Sequence, residues 1–339
     1  MKNKAIIGAM AFSILLVTIP IGYTLERCDV TSAEELKVIF DTDINGDNDD
    51  VAAAAILHAL ADSGLVDILA MGVVSRCPYS PACLDAINTY YGRGDIPIGV
   101  YKGTTLAEMG SPYAKEVAGR CTNDIGLSSQ VPDVLGVYRR ILSGQSDGTV
   151  TMIAVGQMNN LVDLLTSPPD QYSNLSGLEL VRCKVAALYV MAPYFNERNE
   201  YQRAYNFVSS PKAALELIEK WPTKIKFGEG NLGHRHFIGS RLCETPAGNP
   251  SRIAFEAYFA GKTENKRHCA DPTTVLYAVC GTQYFGEVGP GACVVREDGY
   301  TRWDDERDRQ HFYNTQKLPT GELEQVMEQL LIKPPKLQR

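Results

Sequence analysis

Residues 36–61 read LKVIFDTDINGDNDDVAAAAILHALA. The apolar run Leu36–Phe40 is typical of a buried strand, and the Ala-rich run Val51–Ala61 is typical of a helix. Between the two runs lie five aspartates within ten residues: Asp41, Asp43, Asp47, Asp49 and Asp50. The stretch therefore predicts a strand, a strongly acidic turn and a helix in succession.

The alternation of strand and helix continues along the chain. Further strands are predicted at Val66–Ser75, Ile96–Val100, Thr149–Val155, Val185–Met191 and Lys224–Phe227. Helices are predicted at Leu84–Tyr91, Val134–Leu142, Leu161–Leu165, Pro211–Lys220 and Thr273–Val279. This order predicts an α/β fold with a mainly parallel central sheet and helices on both faces. Such sheets bind ligands beyond the carboxyl ends of their strands, which is where the five aspartates are expected.

Composition restricts the classes of function. The chain has 339 residues, 45% of them hydrophobic and 22% charged, which is ordinary for an α/β domain. Without an internal repeat or a low-complexity linker, we expect one catalytic domain over residues 36–332 and a short tail over 333–339. The net charge of −7, with no basic cluster, argues against nucleic-acid polymers as partners.

The N-terminal segment predicts the compartment. Lys2 and Lys4 precede the uncharged run Ala5–Leu25, so residues 1–33 are interpreted as a secretory signal peptide. The run is long, and an N-terminal membrane anchor is the alternative. Either interpretation places the catalytic domain outside the cytosol, secreted or periplasmic.

The cysteine content fits an oxidising compartment, because the chain has nine cysteines. Cys77 and Cys83 are close enough in sequence to close one loop through a disulfide. A second set could also form pairs: Cys243, Cys269, Cys280 and Cys293.

The acidic turn predicts a metal site. Five neighbouring carboxylates repel one another, and oxygen ligands favour a hard cation, Ca²⁺ or Mg²⁺. The alternative is a solvated cluster that caps the following helix. An EF-hand is excluded, since Ala52 occupies the twelfth position, where a bidentate Glu is needed. An Asp-nucleophile phosphatase is a weak match, since Asn45 stands where Thr or Val is expected.

The turn resembles the signature of the inosine/uridine-preferring nucleoside hydrolase family, in a bacterial branch with a longer Asp-rich loop. Asp41-Thr42-Asp43 and Asp49-Asp50-Val51-Ala52 correspond to its Asp-x-Asp and Asp-Asp elements. Three later segments occur in the family's order, namely residues 153–161, 204–214 and 270–272. The resemblance extends over roughly residues 36–331.

The resemblance implies a function: hydrolysis of the N-glycosidic bond of nucleosides or related N-ribosides, with Ca²⁺ as the cofactor and a small-molecule nucleoside as the partner. It implies Asp43 as the base that activates a Ca²⁺-bound water. The implied metal ligands are Asp43, Asp50, the carbonyl of Asn159 and Asp271. The implied substrate-binding residues are Asp49, Asn160 and Asn206. A homo-oligomer is compatible with this interpretation.

Two departures keep alternatives open. Ala204 stands where the family has a ribose-binding Glu, and Ala270 stands where some members have a His that protonates the leaving base. His268 is a candidate replacement for that acid, and Tyr194 and Phe195 could stack on a base. A non-catalytic ribose- or sugar-binding relative therefore remains an alternative, as does, with less support, the phosphatase.

Overall fold

Strands and helices alternate along the chain in the computed structural model, which describes residues 34–106, 112–261 and 266–336. The predicted signal peptide or anchor and the last three residues lie outside the described part. Within the described residues, no helix combines the length and the apolar character needed to span a membrane.

Nine strands form the main sheet and two short strands form a separate pair in the described chain. The strands are β1 (Leu36–Thr42), β2 (Val66–Val73), β3 (Ile98–Val100), β4 (Val150–Ala154), β5 (Val185–Met191), β6 (Lys224–Gly228), β7 (Phe237–Ile238), β8 (Arg267–His268), β9 (Phe285–Val295), β10 (Thr301–Asp304) and β11 (His311–Gln316). The spatial order in the main sheet is β10-β9-β11-β6-β5-β4-β1-β2-β3, and β7 pairs with β8.

Twelve α-helices lie in the described residues. They are α1 (Asp49–Ala61), α2 (Ser80–Tyr90), α3 (Pro112–Arg120), α4 (Val134–Ser143), α5 (Asn159–Thr166), α6 (Gly177–Lys184), α7 (Tyr205–Val208), α8 (Pro211–Lys220), α9 (Gly230–His234), α10 (Pro250–Tyr258), α11 (Ala270–Cys280) and α12 (Thr320–Leu331). Every residue of α1 is buried, which suits its nearly continuous run of apolar side chains.

The direction of the strands confirms the predicted fold class. All pairings from β3 across to β11 are parallel. The two remaining pairings, of β9 with β11 and of β9 with β10, are antiparallel. The chain adds β2 and β3 on one side of β1, then returns to add β4, β5 and β6 on the other. The strand order thus reverses between β1 and β4, and parallel sheets bind ligands at such a reversal.

The last three strands, β9 to β11, were not predicted. They contain glycine and proline at 286, 289, 290 and 291, and a charged segment at 304–309 separates β10 from β11. Gly and Pro are poor strand formers in isolation. Pairing with β6, through β11, supplies the stability that the local sequence lacks.

The predicted disulfides are wrong for the described residues. Eight of the nine cysteines are described, and all eight are free. Cys77 and Cys83 are buried in the same hydrophobic cluster as α1. Free cysteine is a common buried residue and packs as a small apolar side chain, which is how these two behave.

Gly72, in β2, leaves space for the buried side chain of Tyr138, on α4, beside Asp41. A Cβ at this position would lie 1.7 Å from the hydroxyl oxygen of Tyr138 and 2.8 Å from Oδ2 of Asp41. We expect Gly72→Ala to lower the free energy of unfolding by about 2 kcal/mol, because such overpacking forces buried groups apart. Denaturant titration measures the change.

Gly119→Ala is the matched control for this prediction. Gly119 lies in α3, and a Cβ there would meet nothing within 4 Å. The control should be neutral or slightly stabilising, because alanine favours helix. Equal stability losses in the two variants would contradict the proposed close approach.

Candidate active site

A cavity of about 400 Å³ opens beyond the carboxyl ends of β1, β2, β4 and β5. Asp43 follows β1, Ser75 and Arg76 follow β2, and Gln157 follows β4. Further wall residues include Tyr194, Asn206, His234, Arg267, His268 and Asp271. The cavity therefore occupies the place where the strand order reverses, as expected for a ligand site in such a sheet.

Gln157 and Gly156 join the two strands at that reversal. The side-chain amide of Gln157 donates to Oδ2 of Asp43 over 2.9 Å. A Cβ on Gly156 would lie 2.7 Å from the backbone nitrogen of Asp43, so the two backbones touch at this point. The absence of a side chain at Gly156 thus fixes how closely Asp43 lies to the end of β4.

The acidic loop between β1 and α1 is held from several sides. Thr42 donates its hydroxyl to Asp50 and accepts the N–H of Ile44 over 3.1 Å. Tyr113, on α3, donates to the carbonyl of Asp47 over 2.6 Å. These contacts hold the carboxylates of the loop in place at the start of α1, where the helix dipole favours negative charge.

Burial sets the pKa values of these carboxyl groups. It raises the pKa of Asp43 to about 6, while the hydrogen bond from Gln157 acts in the opposite direction. Burial and then repulsion by neighbouring aspartates raise the pKa values of Asp50 and Asp271 well above their usual range. Without a counter-charge, ionisation of the whole cluster is therefore costly.

Arg267 provides part of that counter-charge, and His268 lies beside it. Arg267 forms ion pairs with Asp47 and, over 3.6 Å, with Asp49. Nδ1 of His268 lies 3.3 Å from Oδ2 of Asp49. Burial alone would raise the pKa of Asp49, but the bond to His268 and the two positive charges lower it to about 2.

One compact group of metal-binding type lies in the described residues: Asp47, Asp49 and His268 have ligand atoms within 4.8 Å of one another and could hold a metal ion. The donors around it are mostly oxygen. Several buried oxygens in and beside the loop accept no hydrogen bond, among them Oδ1 of Asn45, Asn48 and Asp49. Buried oxygens without a donor, beside an excess of carboxylates, fit a hard cation.

The structure brings four of the predicted site residues together around the cavity: Asp43, Asp49, Asn206 and Asp271. Asp271 is the second residue of α11 and is almost fully buried. The amide of Asn206, on α7, donates to the carbonyl of Val155 over 2.6 Å. Ala204 also lines the cavity and is itself fully buried.

The other predicted site residues do not line the cavity. The carboxylate of Asp50 contacts that of Asp43 and accepts a hydrogen bond from the hydroxyl of Thr42. The amide of Asn159 donates to Oγ1 of Thr105 over 2.9 Å. Asn160 is fully buried and donates to Oδ2 of Asp41 over 2.8 Å, so its side chain supports the floor of the site.

Arg267, Gln157 and His234 line the cavity but were not among the predicted site residues, although Gln157 lies within the segment 153–161 that the resemblance assigns to the site. Nε2 of His234, at the end of α9, forms a hydrogen bond of 3.1 Å with the hydroxyl of Tyr194. Its ring lies 4.0 Å, centre to centre, from that of His268. Burial and the nearby His268 lower the pKa of His234 to about 4.

Asp41, under the cavity, should make the free energy of unfolding depend on pH. Tyr138 and Asn160 both donate to its Oδ2, yet burial raises its pKa from 3.8 to about 7. The folded state then holds this proton more tightly than the unfolded state. The contribution of Asp41 to the free energy of unfolding is therefore fully present below pH 4. It is lost as the pH rises to 7, and the loss is roughly 4 kcal/mol at most.

Asp41→Asn should remove this component, because an asparagine oxygen can accept both hydrogen bonds without ionising. We expect a smaller fall in the free energy of unfolding between pH 4 and pH 7 than in the parent, measured by denaturant titration in the presence of chelator. Asp67→Asn, at an exposed position on β2, is the control and should keep the parental slope. Identical slopes for parent and Asp41→Asn would refute the assignment.

The fold is that of the nucleoside hydrolases. A plant nucleoside hydrolase superimposes with a TM-score of 0.62 at 19% identity, covering 88% of this chain and 99% of its own. The inosine-uridine preferring nucleoside hydrolase of Bacillus anthracis gives a TM-score of 0.64 at 13% identity, covering 87% and 98%.

A third solved structure is the type III effector protein XopQ complexed with adenosine diphosphate ribose, with a TM-score of 0.62 at 15% identity, covering 88% and 93%. No model of a known protein family and no curated protein matches the sequence. At these identities the likeness concerns the fold.

Proposed function

We propose that this protein hydrolyses the N-glycosidic bond of nucleosides or related N-ribosides. The observation that carries the proposal is the convergence of Asp43, Asp49, Asp271 and Asn206 on one cavity at the strand reversal. The nucleoside hydrolase fold supports the same reaction class.

Asp43 acts as the general base in this proposal. It is only partly buried, it faces the cavity, and Gln157 holds one of its carboxylate oxygens. Burial raises its pKa to about 6 in the absence of a metal, so its carboxylate is ionised at neutral pH and can accept a proton from water. The negative charge of the surrounding aspartates stabilises the positive charge that develops on the sugar as the C–N bond breaks.

The ribose would lie against Asp49 and Asn206. A carboxylate accepts hydrogen bonds from vicinal hydroxyls, and an amide can donate or accept. Ala204 removes one polar group from this part of the cavity, so ribose binding would depend on fewer contacts. This feature also keeps a non-catalytic ribose-binding protein as the second candidate.

Ca²⁺ is the proposed cofactor. We propose Asp43, Asp50, Asp271 and the carbonyl of Asn159 as its ligands, with the group of Asp47, Asp49 and His268 as the competing set. When bound, such a cation lowers the pKa of a coordinated water and offsets the repulsion within the acidic cluster. We propose that the protein acts outside the cytosol.

A panel of substrates tests the proposal. Purified protein with Ca²⁺ is incubated with inosine, guanosine, adenosine, cytidine, uridine and adenosine diphosphate ribose, and release of the free base is measured. Turnover of at least one compound is expected. Calorimetric binding of ribose without turnover would favour the binding protein, and hydrolysis of p-nitrophenyl phosphate alone would favour the phosphatase.

A further inference from the structure

We propose that Glu229 is a positioning residue for the leaving base: its buried carboxylate fixes the two segments that carry Tyr194 and His234, and these two side chains contact the base. This inference rests on the proposed function, because it assigns the leaving-group side of the same cavity. The pair Tyr194 and His234 is called the base wall below.

Glu229 joins the two segments directly. Its Oε1 accepts the N–H of Phe195 over 2.9 Å, and its Oε2 accepts the N–H of Leu232, in α9, over 2.8 Å. Asn231 reinforces the connection, because its amide donates to the carbonyl of Phe195 and to Oε1 of Glu229, each over 3.0 Å. One carboxylate therefore sets the distance between the residue after Tyr194 and the helix that ends at His234.

The backbone of Glu229 is itself fixed by a residue of β11. The side-chain oxygen of Asn314, on β11, accepts the backbone N–H of Glu229 over 2.7 Å. Glu229 is 8% exposed and is absent from the lining of the cavity, so it can affect a ligand there only through other residues. A buried carboxylate with several hydrogen bonds is a rigid point of attachment.

Two glycines bring α9 against the other walls of the cavity. A Cβ on Gly230 would lie 2.4 Å from the ring of Tyr194, and a Cβ on Gly233 would lie 2.4 Å from the Cα of Ala270. The start of α11 is therefore packed against α9 at residue 270. His234, one residue further along α9, places its imidazole in the cavity beside that point.

The base wall has the chemistry that a heteroaromatic leaving group requires. The Tyr194 and His234 rings lie 5.5 Å apart, centre to centre, in an edge-to-face arrangement, with the phenol bonded to the imidazole. Aromatic faces stack on planar bases, and the hydroxyl and ring nitrogens can hydrogen-bond to base nitrogens and oxygens. The ribose-facing groups Asp49 and Asn206 offer no such surface.

The test compares two leaving groups on one sugar. Inosine needs contacts to its departing base, whereas p-nitrophenyl β-D-ribofuranoside releases a phenolate that leaves without assistance. We expect Glu229→Gln to lower kcat/KM for inosine by roughly tenfold or more and to change the value for the nitrophenyl riboside much less. Gln keeps the shape of the side chain but presents an N–H toward the N–H of Leu232.

Further variants separate positioning from loss of folding. Tyr194→Phe removes only the hydroxyl of the base wall and should show the same selectivity between substrates. Asn231→Ala should give a weaker form of the Glu229→Gln effect. Glu197→Gln, at an exposed position on the same segment, is the matched control and should leave both substrates unaffected.

Product inhibition supplies a readout that a purely structural role would not alter. In Glu229→Gln, the inhibition constant of hypoxanthine should rise by roughly tenfold, and that of ribose should not. Equal losses on both substrates, or unchanged hypoxanthine inhibition, would overturn the assignment of Glu229. A parent protein that hydrolyses neither riboside would instead overturn the proposed function, and this inference with it.

Discussion

Asp43→Ala should abolish turnover while leaving the protein folded. Asp43 is the cavity carboxylate that follows the central strand β1 and is fixed there by Gln157 and Gly156. Loss of a general base lowers rates by roughly 10²–10⁴-fold, and loss of a proposed metal ligand adds to that, so a fall of kcat by about 10³-fold or more is expected. The measurement is reducing-sugar release at saturating substrate.

Removal of this charge should not unfold the protein. Asp43 is partly buried among other carboxylates, so its substitution relieves repulsion in the metal-free state. The melting temperature in chelator should stay the same or rise. Asp43→Asn tests the point with less change in shape, because its side-chain oxygen can still accept the Gln157 amide.

Asp67→Asn is the control for both Asp43 variants. Asp67 is exposed near the start of β2, at the opposite end of the strand from the cavity, and does not line the cavity. It should keep parental activity and stability. Near-parental turnover by Asp43→Ala, with Asp67→Asn equally active, would exclude Asp43 as the base.

The local pattern of the sequence predicted the acidic side of the site. Asp43 follows an apolar strand, Asp49 opens an Ala-rich helix, and Asp271 lies in the first turn of another helix. Each of these positions is defined by residues within a few places of it. Parallel strands then bring their carboxyl ends to one edge of the sheet, so convergence of such residues follows from the fold class.

The leaving-group side was predicted only in part, because Tyr194 was a candidate for stacking on the base but its partner His234 was not a predicted site residue. His234 reaches the cavity because Gly233 lets α9 approach Ala270. The ring of Tyr194 packs against α9 because Gly230 has no side chain. Such contacts depend on packing between segments far apart in the chain. The pairing of Arg267 with Asp47 has the same origin, since 220 positions separate them.

The roles of Asn159 and Asn160 show a further limit. Asn160 was predicted to bind substrate, yet its side chain is directed to Asp41; the prediction for Asn159 concerned its backbone carbonyl, which the bond from its side chain to Thr105 does not test. Adjacent residues at a helix start point in different directions, and a motif alone does not say which one faces a ligand. Gln157, two residues before Asn159, is the one whose side chain meets Asp43.

Calcium should stabilise the folded protein, and Asp271→Asn should remove that effect. The cluster around the cavity contains more carboxylates than Arg267 and His268 can neutralise. A cation bound only by the folded state stabilises it by about 2.7 kcal/mol at a concentration of 100 times its Kd. For a chain of this size we expect the melting temperature to rise by roughly 4 °C.

The same measurement distinguishes the two ligand sets. If the cation is held by Asp43, Asp50 and Asp271, then Asp271→Asn should raise the melting temperature in chelator, by relieving repulsion, and should lose the increment from Ca²⁺. His268→Gln should keep that increment. If Asp47, Asp49 and His268 hold the cation instead, His268→Gln should lose the increment and Asp271→Asn should keep most of it.

The choice of cation adds an independent criterion. Oxygen-only ligands favour Ca²⁺, whereas an imidazole nitrogen in the set favours Zn²⁺ or another transition metal. A titration with Ca²⁺, Mg²⁺ and Zn²⁺, followed by thermal unfolding and by calorimetry, should rank Ca²⁺ first for the parent protein. Stabilisation by Zn²⁺ alone, lost in His268→Gln, would show that Asp47, Asp49 and His268 hold the cation and that Asp271 is not one of its ligands.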